Sequence, residues 1–143
     1  MVKFGYLLPI VLIPLSPYLL GCDRNPKTVP VSGRVVFNGV PLTFGSVMFQ
    51  PNAGPVATGV IQADGTFSLS TFEPGDGALP GKHRVSVRCF ASQRTDATAP
   101  DANREAAPGD SLIPERYAHV DTSGLVVEIA APGADDIELQ LVD

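Results

Sequence analysis

The chain has few charged side chains, and the basic ones are the scarcer. Of its 143 residues 17% are charged, with 10 Lys and Arg against 15 Asp and Glu, so the formal net charge is −5. No cluster of basic residues occurs, and an acidic surface repels phosphate backbones. The composition therefore argues against nucleic-acid binding.

Side chains that bind metals or carry reactive groups are also scarce. Two cysteines and two histidines do not make a zinc site. Several aspartates fall in expected turns, where calcium ligands often gather, but none has EF-hand spacing, and no segment has the form of a phosphate loop. These aspartates are Asp64, Asp76, Asp110, Asp121, Asp135 and Asp136. We therefore expect neither a metal nor a cofactor.

The N-terminal segment has the layout of a secretory signal. A short basic start is followed by the apolar run "FGYLLPIVLIPLSPYLLG", which is short for a membrane span and is interrupted by three prolines. "LLGC" at its end resembles the bacterial lipobox, in which signal cleavage between Gly21 and Cys22 frees a cysteine for diacylglycerol. We predict a signal peptide with its lipobox over residues 1–21 and a tether over 22–28. An uncleaved anchor and an ordinary secreted protein are the alternatives.

A lipid on Cys22 has two consequences. Two or more acyl chains hold a protein stably on a bilayer, which predicts a lipoprotein of the bacterial cell envelope that faces away from the cytoplasm, on either the inner or the outer membrane. An acylated Cys22 also leaves Cys89 without a partner for an intrachain disulfide. In "HRVSVRCF" Cys89 shares a strand face with Val85 and Val87, so we expect a buried thiol.

Glycine and proline are abundant, with 14 residues of each, which favours short strands joined by turns over long helices. Seven segments show alternating polarity with turn residues between them, and they predict one antiparallel β-sandwich over residues 29–143. A closed barrel is the alternative. The segments are 29–37, 45–51, 55–61, 66–71, 82–90, 124–130 and 136–143. Asn38-Gly39 predicts a tight turn, and Ala63-Asp64-Gly65 predicts a hairpin between the third and fourth strands.

The segment 91–110 separates the fifth and sixth strands. It contains no large aliphatic or aromatic residue and shows no periodicity, so it buries too little to offset its ordering entropy. We predict a mobile surface loop, with a turn or two of helix as the alternative.

The order of these motifs resembles a known family. "VSGRVVFNGVPLTFGSVMFQP", "TGVIQADGTFSL" and "LPGKHRVSV" are similar to the carboxypeptidase regulatory-like domain, a transthyretin-like β-sandwich. "IPERYAHVDTSGLVVEI" with "IELQL" resembles the short lipoproteins of planctomycete-type bacteria that carry one such domain. The resemblance implies a non-catalytic accessory module. His83 departs from it, because tyrosine is common at that position.

A four-residue motif offers the opposite interpretation. Gly109-Asp110-Ser111-Leu112 matches the nucleophile motif of a hydrolase family, but no Asp-x-x-His follows it, and the segment before it has no strand pattern. We expect no enzyme here and expect Ile113 and Tyr117 to pack against the sandwich. The alternative is a small hydrolase or metal-dependent enzyme that uses Ser111, His119 and Asp121, which requires these side chains to meet in a concave site.

The favoured hypothesis is a lipid-anchored envelope lipoprotein without catalytic activity. Its sandwich would bind another envelope protein or a surface polysaccharide, or would serve as structural support. Loops on rigid sandwiches commonly carry recognition, so the candidate surfaces are the segment 91–110 and the turn "EPGDGALPG", together with the exposed edges of the sandwich.

Overall fold

The computed structural model describes residues 25–93 and 109–143. Eight strands and two 3₁₀ turns make up this part of the chain. The strands are β1 Val31–Phe37, β2 Val40–Pro41, β3 Ser46–Pro51, β4 Ala57–Val60, β5 Thr66–Ser68, β6 Gly81–Arg88, β7 Leu125–Ile129 and β8 Ala134–Leu141, and the 3₁₀ turns are Ala91–Gln93 and Glu115–Ala118. The predicted all-β class is confirmed. Within the described ranges no helix has the length and apolar character that a membrane span requires.

The strands form two sheets. In the first, β8 lies on one side of β1, while β5 and β2 pair with successive parts of its other side. The second has the order β4-β3-β6-β7. Two details correct the expectation of seven antiparallel strands. The short β2 adds an eighth strand, and β8 runs parallel to β1, because these strands come from opposite ends of the domain and no tight turn dictates their direction.

The β2 strand exists because of the turn before it. Asn38 and Gly39 both have positive φ, 49° and 83°, the geometry of the two-residue hairpin turn that the Asn-Gly pair favours. The turn pairs Phe37 with Val40 and Val36 with Pro41. The expected tight turn is therefore confirmed, and it is the local cause of the extra strand.

The hydrophobic core lies between the sheets, as the alternating pattern requires. Val85, Val87 and Cys89 are fully buried on the inner face of the second sheet, which confirms the expected buried thiol. Phe49 on β3 meets Phe67 on β5 with the ring centroids 5.8 Å apart. Because these two strands belong to different sheets, the contact spans the sandwich and joins its layers.

The segment after residue 110 returns to this core. Ile113 and Tyr117 are 5% and 4% exposed. Both were expected in the core, because an aliphatic side chain and an aromatic ring stand here between polar neighbours. The 3₁₀ turn Glu115–Ala118 carries Tyr117 and lies against β6. Ser123 continues the contact, since its hydroxyl hydrogen-bonds to the carbonyl of Val85.

His83 is the polar side chain at one end of the core. Its ring is completely buried, lies 6.1 Å from the ring of Phe49, and has Nε2 2.8 Å from the carbonyl oxygen of Leu79. A carbonyl only accepts, so Nε2 carries a proton and donates it to Leu79. Nδ1 has no hydrogen-bond partner among the described residues. His83 therefore lies in the core with only one of its ring nitrogens hydrogen-bonded within the described residues.

Candidate functional site

The most distinctive surface lies where the sheets meet at β4 and β5. The sequence predicts one continuous hairpin here, and that prediction is wrong for the middle of the hairpin. β4 pairs with β3 in one sheet, and β5 pairs with β1 in the other. Only the two ends of the hairpin form. Gln62 N–H donates to the carbonyl of Thr66 at 2.8 Å, and Thr58 and Ser70 exchange hydrogen bonds of 2.9 and 2.8 Å.

Between these two ends the strands separate. The register of the end pairs places Val60 opposite Ser68, with their peptide groups directed at each other because Thr58 and Gln62 already bond in that direction. No β-bridge joins Val60 to Ser68 in the described strand pairing. Both residues are exposed, but the carbonyl oxygen of Ser68 lies against Gly59, 2.7 Å from the position that a Cβ atom would take there. The gap is therefore an interruption of the ladder and not a row of open peptide groups.

A groove of about 810 Å³ follows this gap along the surface. Its lining comes from β1, β3, β4 and β5, from Gln62 and Ser70 beside these strands, and from one residue of β8. The lining residues are Ser32, Gly33, Ser46, Thr58, Gly59, Val60, Gln62, Thr66, Phe67, Ser68, Ser70 and Asp135. Eight of these twelve residues are serine, threonine or glycine, and Gly59 and Phe67 are buried.

The side chains of the groove leave much of their hydrogen-bonding capacity unused. The hydroxyls of Ser32, Ser46, Thr58 and Ser68 form no hydrogen bond with any described residue. Each hydroxyl can donate one hydrogen bond and accept two. The groove is therefore a preformed row of donors and acceptors.

The negative charge of the groove comes from one end. Asp135 on β8 is its only charged lining residue, and a smaller groove of about 230 Å³ continues from there past Arg34, Asp136 and Glu138. Three carboxylates against one guanidinium give this continuation a net negative charge. Polyanions are repelled from such a surface.

An ordered loop follows the lining residue Ser70. Asp76 accepts hydrogen bonds from the backbone N–H groups of Thr71, Phe72 and Glu73, at 2.6, 2.9 and 3.1 Å. Burial raises the pKa of Asp76, but the three N–H groups together outweigh it and leave the pKa below the usual 3.8. These bonds order the start of the turn "EPGDGALPG", one of the candidate surfaces, and Phe72 directly before it is exposed.

Sequence reasoning missed the groove, although a signal was present. The outward positions of β3, β4 and β5 carry Ser46, Thr58 and Ser68, whereas exposed strand positions often carry Lys or Glu. The pattern alone gives the polarity of these positions. It does not give the order of strands in the sheets, which brings them together.

The residues of the hydrolase hypothesis lie elsewhere. Ser111 and His119 line a second open groove of about 580 Å³ beside Arg88. The Ser111 hydroxyl donates to the carbonyl of Ile113 at 2.7 Å, and the Asp121 carboxylate forms an ion pair with Arg84. No hydrogen bond connects Ser111, His119 and Asp121 with one another. The structure brings two of the three side chains to one groove and engages the third in another contact.

Of the six turn aspartates, Asp64, Asp76 and Asp121 have side-chain partners within the described residues. Asp64 Oδ1 accepts from the hydroxyl and the N–H of Thr66 at 2.6 and 3.0 Å, and these bonds lower its pKa. In the part of the chain that the structure describes, no three His, Cys, Asp or Glu side chains are grouped so that they could hold a metal ion. Cys22, Gly21, the predicted signal and tether up to residue 24, and residues 94–108 of the predicted loop lie outside the described residues.

Comparisons with known proteins add little beyond the fold. No protein-family model matches the sequence, and no curated protein matches it. The structure is similar to the crystal structure of a DUF3823 family protein from Parabacteroides merdae, with a TM-score of 0.41 and 16% sequence identity over 82% of this chain and 47% of that chain. This chain therefore spans about half the length of that structure. At this level of likeness no function is transferred.

Proposed function

We propose that this chain is a lipid-anchored lipoprotein of the bacterial cell envelope whose β-sandwich is a non-catalytic binding module related to the carboxypeptidase regulatory-like domains. Cys22 carries the lipid, residues 22–28 form the tether, and the sandwich faces away from the cytoplasm. The bound partner is a protein or a polysaccharide of the envelope.

The observation that carries the binding role is the groove between β4 and β5. A hairpin with its turn at Gln62–Thr66 would normally pair along its whole length, as the motif of the sequence predicts. Here the pairing stops between Val60 and Ser68, and a groove of about 810 Å³ follows the interruption. A groove lined by hydroxyls that have no partner among the described residues is suited to recognition.

The contacts of Ser111 and Asp121 support the non-catalytic part of the proposal. A serine nucleophile needs its hydroxyl directed at a base, and the base needs a carboxylate to orient it. The Ser111 hydroxyl is directed at the carbonyl of Ile113, and Asp121 is paired with Arg84. Both side chains would have to exchange their present partners before a triad with His119 could form.

The lipid anchor is tested by intact mass and membrane partitioning of the native protein beside the Cys22→Ser variant. The expected result is a mass that corresponds to a chain starting at Cys22 with a diacylglyceryl group, together with recovery in the membrane fraction. Both should be lost in the variant. An unmodified wild-type chain in the soluble fraction would contradict the anchor and leave a secreted sandwich.

The binding role is tested separately in intact cells. A photoreactive amino acid replaces Val60 in the groove, and a matched variant carries it at Val126, an exposed valine of the edge strand β7. The proposal expects a discrete crosslinked envelope component from Val60 and not from Val126. Equal crosslinking from both positions, or none from Val60, would count against the groove as the binding surface.

A further inference from the structure

We infer that the groove between β4 and β5 binds a neutral polysaccharide. This inference rests on the proposed function, because it names the ligand class of the same binding surface. Its argument uses the hydrogen-bonding capacity, the charge and the shape of the groove.

The hydrogen-bonding groups of the groove match the groups of a sugar. Sugar hydroxyls both donate and accept, and so do the hydroxyls of Ser32, Ser46, Thr58 and Ser68, which no described residue engages. A partner made only of acceptors would use the one donor of each hydroxyl and leave its two acceptor positions unused.

Gln62 and Asp135 add the two strongest polar groups. The Gln62 amide nitrogen contacts the carbonyl of Val60 at 3.4 Å, a weak hydrogen bond that a ligand hydroxyl can replace. Asp135 contributes two acceptor oxygens, and hydrogen bonds to a charged group are stronger than neutral ones.

The charge of the surface selects against acidic polymers. No lysine or arginine is among the lining residues of the groove, and Asp135 continues into the acidic surface that includes Asp136 and Glu138. A sulfated, phosphorylated or uronic-acid polymer would place negative charge beside these carboxylates. A neutral polymer carries no such cost.

The shape of the groove suits an extended chain. The stretch from Thr58 to Gln62 covers four residue steps of a strand, roughly 13 Å, and the groove is open to solvent along it. Val60 stands in the middle with its side chain 66% exposed. A sugar ring presents an apolar C–H face, so Val60 provides the apolar contact that the hydroxyls around it do not.

The test is affinity electrophoresis of the full-length protein, purified in a nonionic detergent, through native gels that contain a polysaccharide. The probes are dextran, mannan, galactomannan and xyloglucan, each run beside its sulfated derivative. Two groove variants, Asp135→Asn and Val60→Lys, are compared with matched variants outside it. Asp110→Asn removes the same charge from an exposed aspartate that lines neither groove, and Val126→Lys alters an exposed valine on β7.

Retardation by at least one neutral polysaccharide is expected, with none by its sulfated derivative. Asp135→Asn should weaken the interaction about tenfold, because it replaces a charge-assisted hydrogen bond by a neutral one. Val60→Lys should abolish it, and both matched variants should bind like the wild type.

Three results would overturn the inference. They are retardation by none of the neutral probes, retardation that the groove variants leave unchanged, and retardation by the sulfated derivatives alone. If the neutral probes fail while Val60 still crosslinks to an envelope protein, the binding module stands and the polysaccharide inference falls. If neither interaction is detected, the proposed binding role fails as well.

Discussion

The hydroxyl of Tyr117 forms hydrogen bonds with both the N–H and the carbonyl oxygen of Val142. It accepts the N–H of Val142 at 3.0 Å and donates to the carbonyl oxygen of the same residue at 3.0 Å. Arg116 lies over the tyrosine ring, with its guanidinium carbon 4.7 Å from the ring centroid. The 3₁₀ turn Glu115–Ala118 is thereby fastened to the end of β8, which is the edge strand of the first sheet.

Replacement of Tyr117 by phenylalanine should destabilise the domain by about 2 kcal/mol, because it leaves the ring packed but removes both hydrogen bonds to a largely buried hydroxyl. Urea denaturation of the two proteins measures the difference. Thr122→Val is the control, since it deletes an exposed hydroxyl that donates to the carbonyl of Arg116 and should cost less than about 0.5 kcal/mol. Equal losses in the two variants would contradict the role assigned to Tyr117.

Asp76 should make the stability of the domain depend on acid pH. Its pKa is below 3.8 in the folded protein, so the ionised carboxylate stabilises the fold above about pH 4. That contribution is lost as the pH falls through the folded-state pKa. Asp76→Asn should therefore cost about 1 kcal/mol at pH 7 and progressively less as both proteins are acidified.

Urea midpoints of the wild type and of Asp76→Asn, taken at pH 7, 5, 4 and 3, measure this convergence. Asp136→Asn provides the control, because Asp136 is exposed and forms no hydrogen bond through its side chain with a described residue. A difference that stays constant between pH 7 and 3 would show that the carboxylate charge does not hold the loop.

Gly33 should tolerate no side chain. A Cβ atom built at this position would lie 2.1 Å from the carbonyl oxygen of Ile137, where β1 and β8 shift register. Gly33→Ala should destabilise the domain by about 3 kcal/mol, because relief of the clash requires the backbones to separate. Gly75→Ala is the matched control. The φ of Gly75 is 75°, which is unfavourable for alanine, but a Cβ atom built there has no other atom within 4 Å. A cost of about 1 kcal/mol is therefore expected from the backbone alone.

Thermal or urea unfolding distinguishes the two glycine variants. If Gly33→Ala were as mild as Gly75→Ala, the close approach of β1 to β8 would not be essential to the fold.

The thiol of Cys89 should react only when the protein unfolds. It is 2% exposed at the end of the buried face of β6, and a thiol in apolar surroundings is neither accessible nor readily ionised. In the Cys22→Ser protein a colourimetric thiol reagent should react slowly under native conditions and completely in denaturant. Fast native reaction would contradict the packing described for this strand.

The sequence predicted well what depends on neighbouring residues. Alternation placed Val85, Val87 and Cys89 in the core, and Asn38-Gly39 gave its turn, because side-chain direction and φ are local properties. The hairpin at β4 and β5 failed in its middle because β4 lies in the sheet of β3 and β5 in the sheet of β1. The sheet to which a strand belongs leaves no local signature.

The groove shows the same limit in the candidate site. Ser32, Ser46 and Ser68 are distant in the sequence, and each alone is an ordinary polar residue on the outer face of a strand. Asp135 was considered as a turn aspartate, yet it lies on β8 and contributes to the groove because β8 joins β1. Long-range pairing, and not residue type, created the site.

The parallel pairing of β1 and β8 also sets an order of events. β1 is made early and β8 last, yet each is the lateral neighbour of the other. A chain that emerges from its N-terminus cannot complete the first sheet until residues 134–141 arrive. Such distant pairing slows folding, since a large loop must close before the contacts form. If the chain is exported in an extended state, as the proposed lipoprotein would be, this delay keeps the polypeptide unfolded until transport is nearly finished.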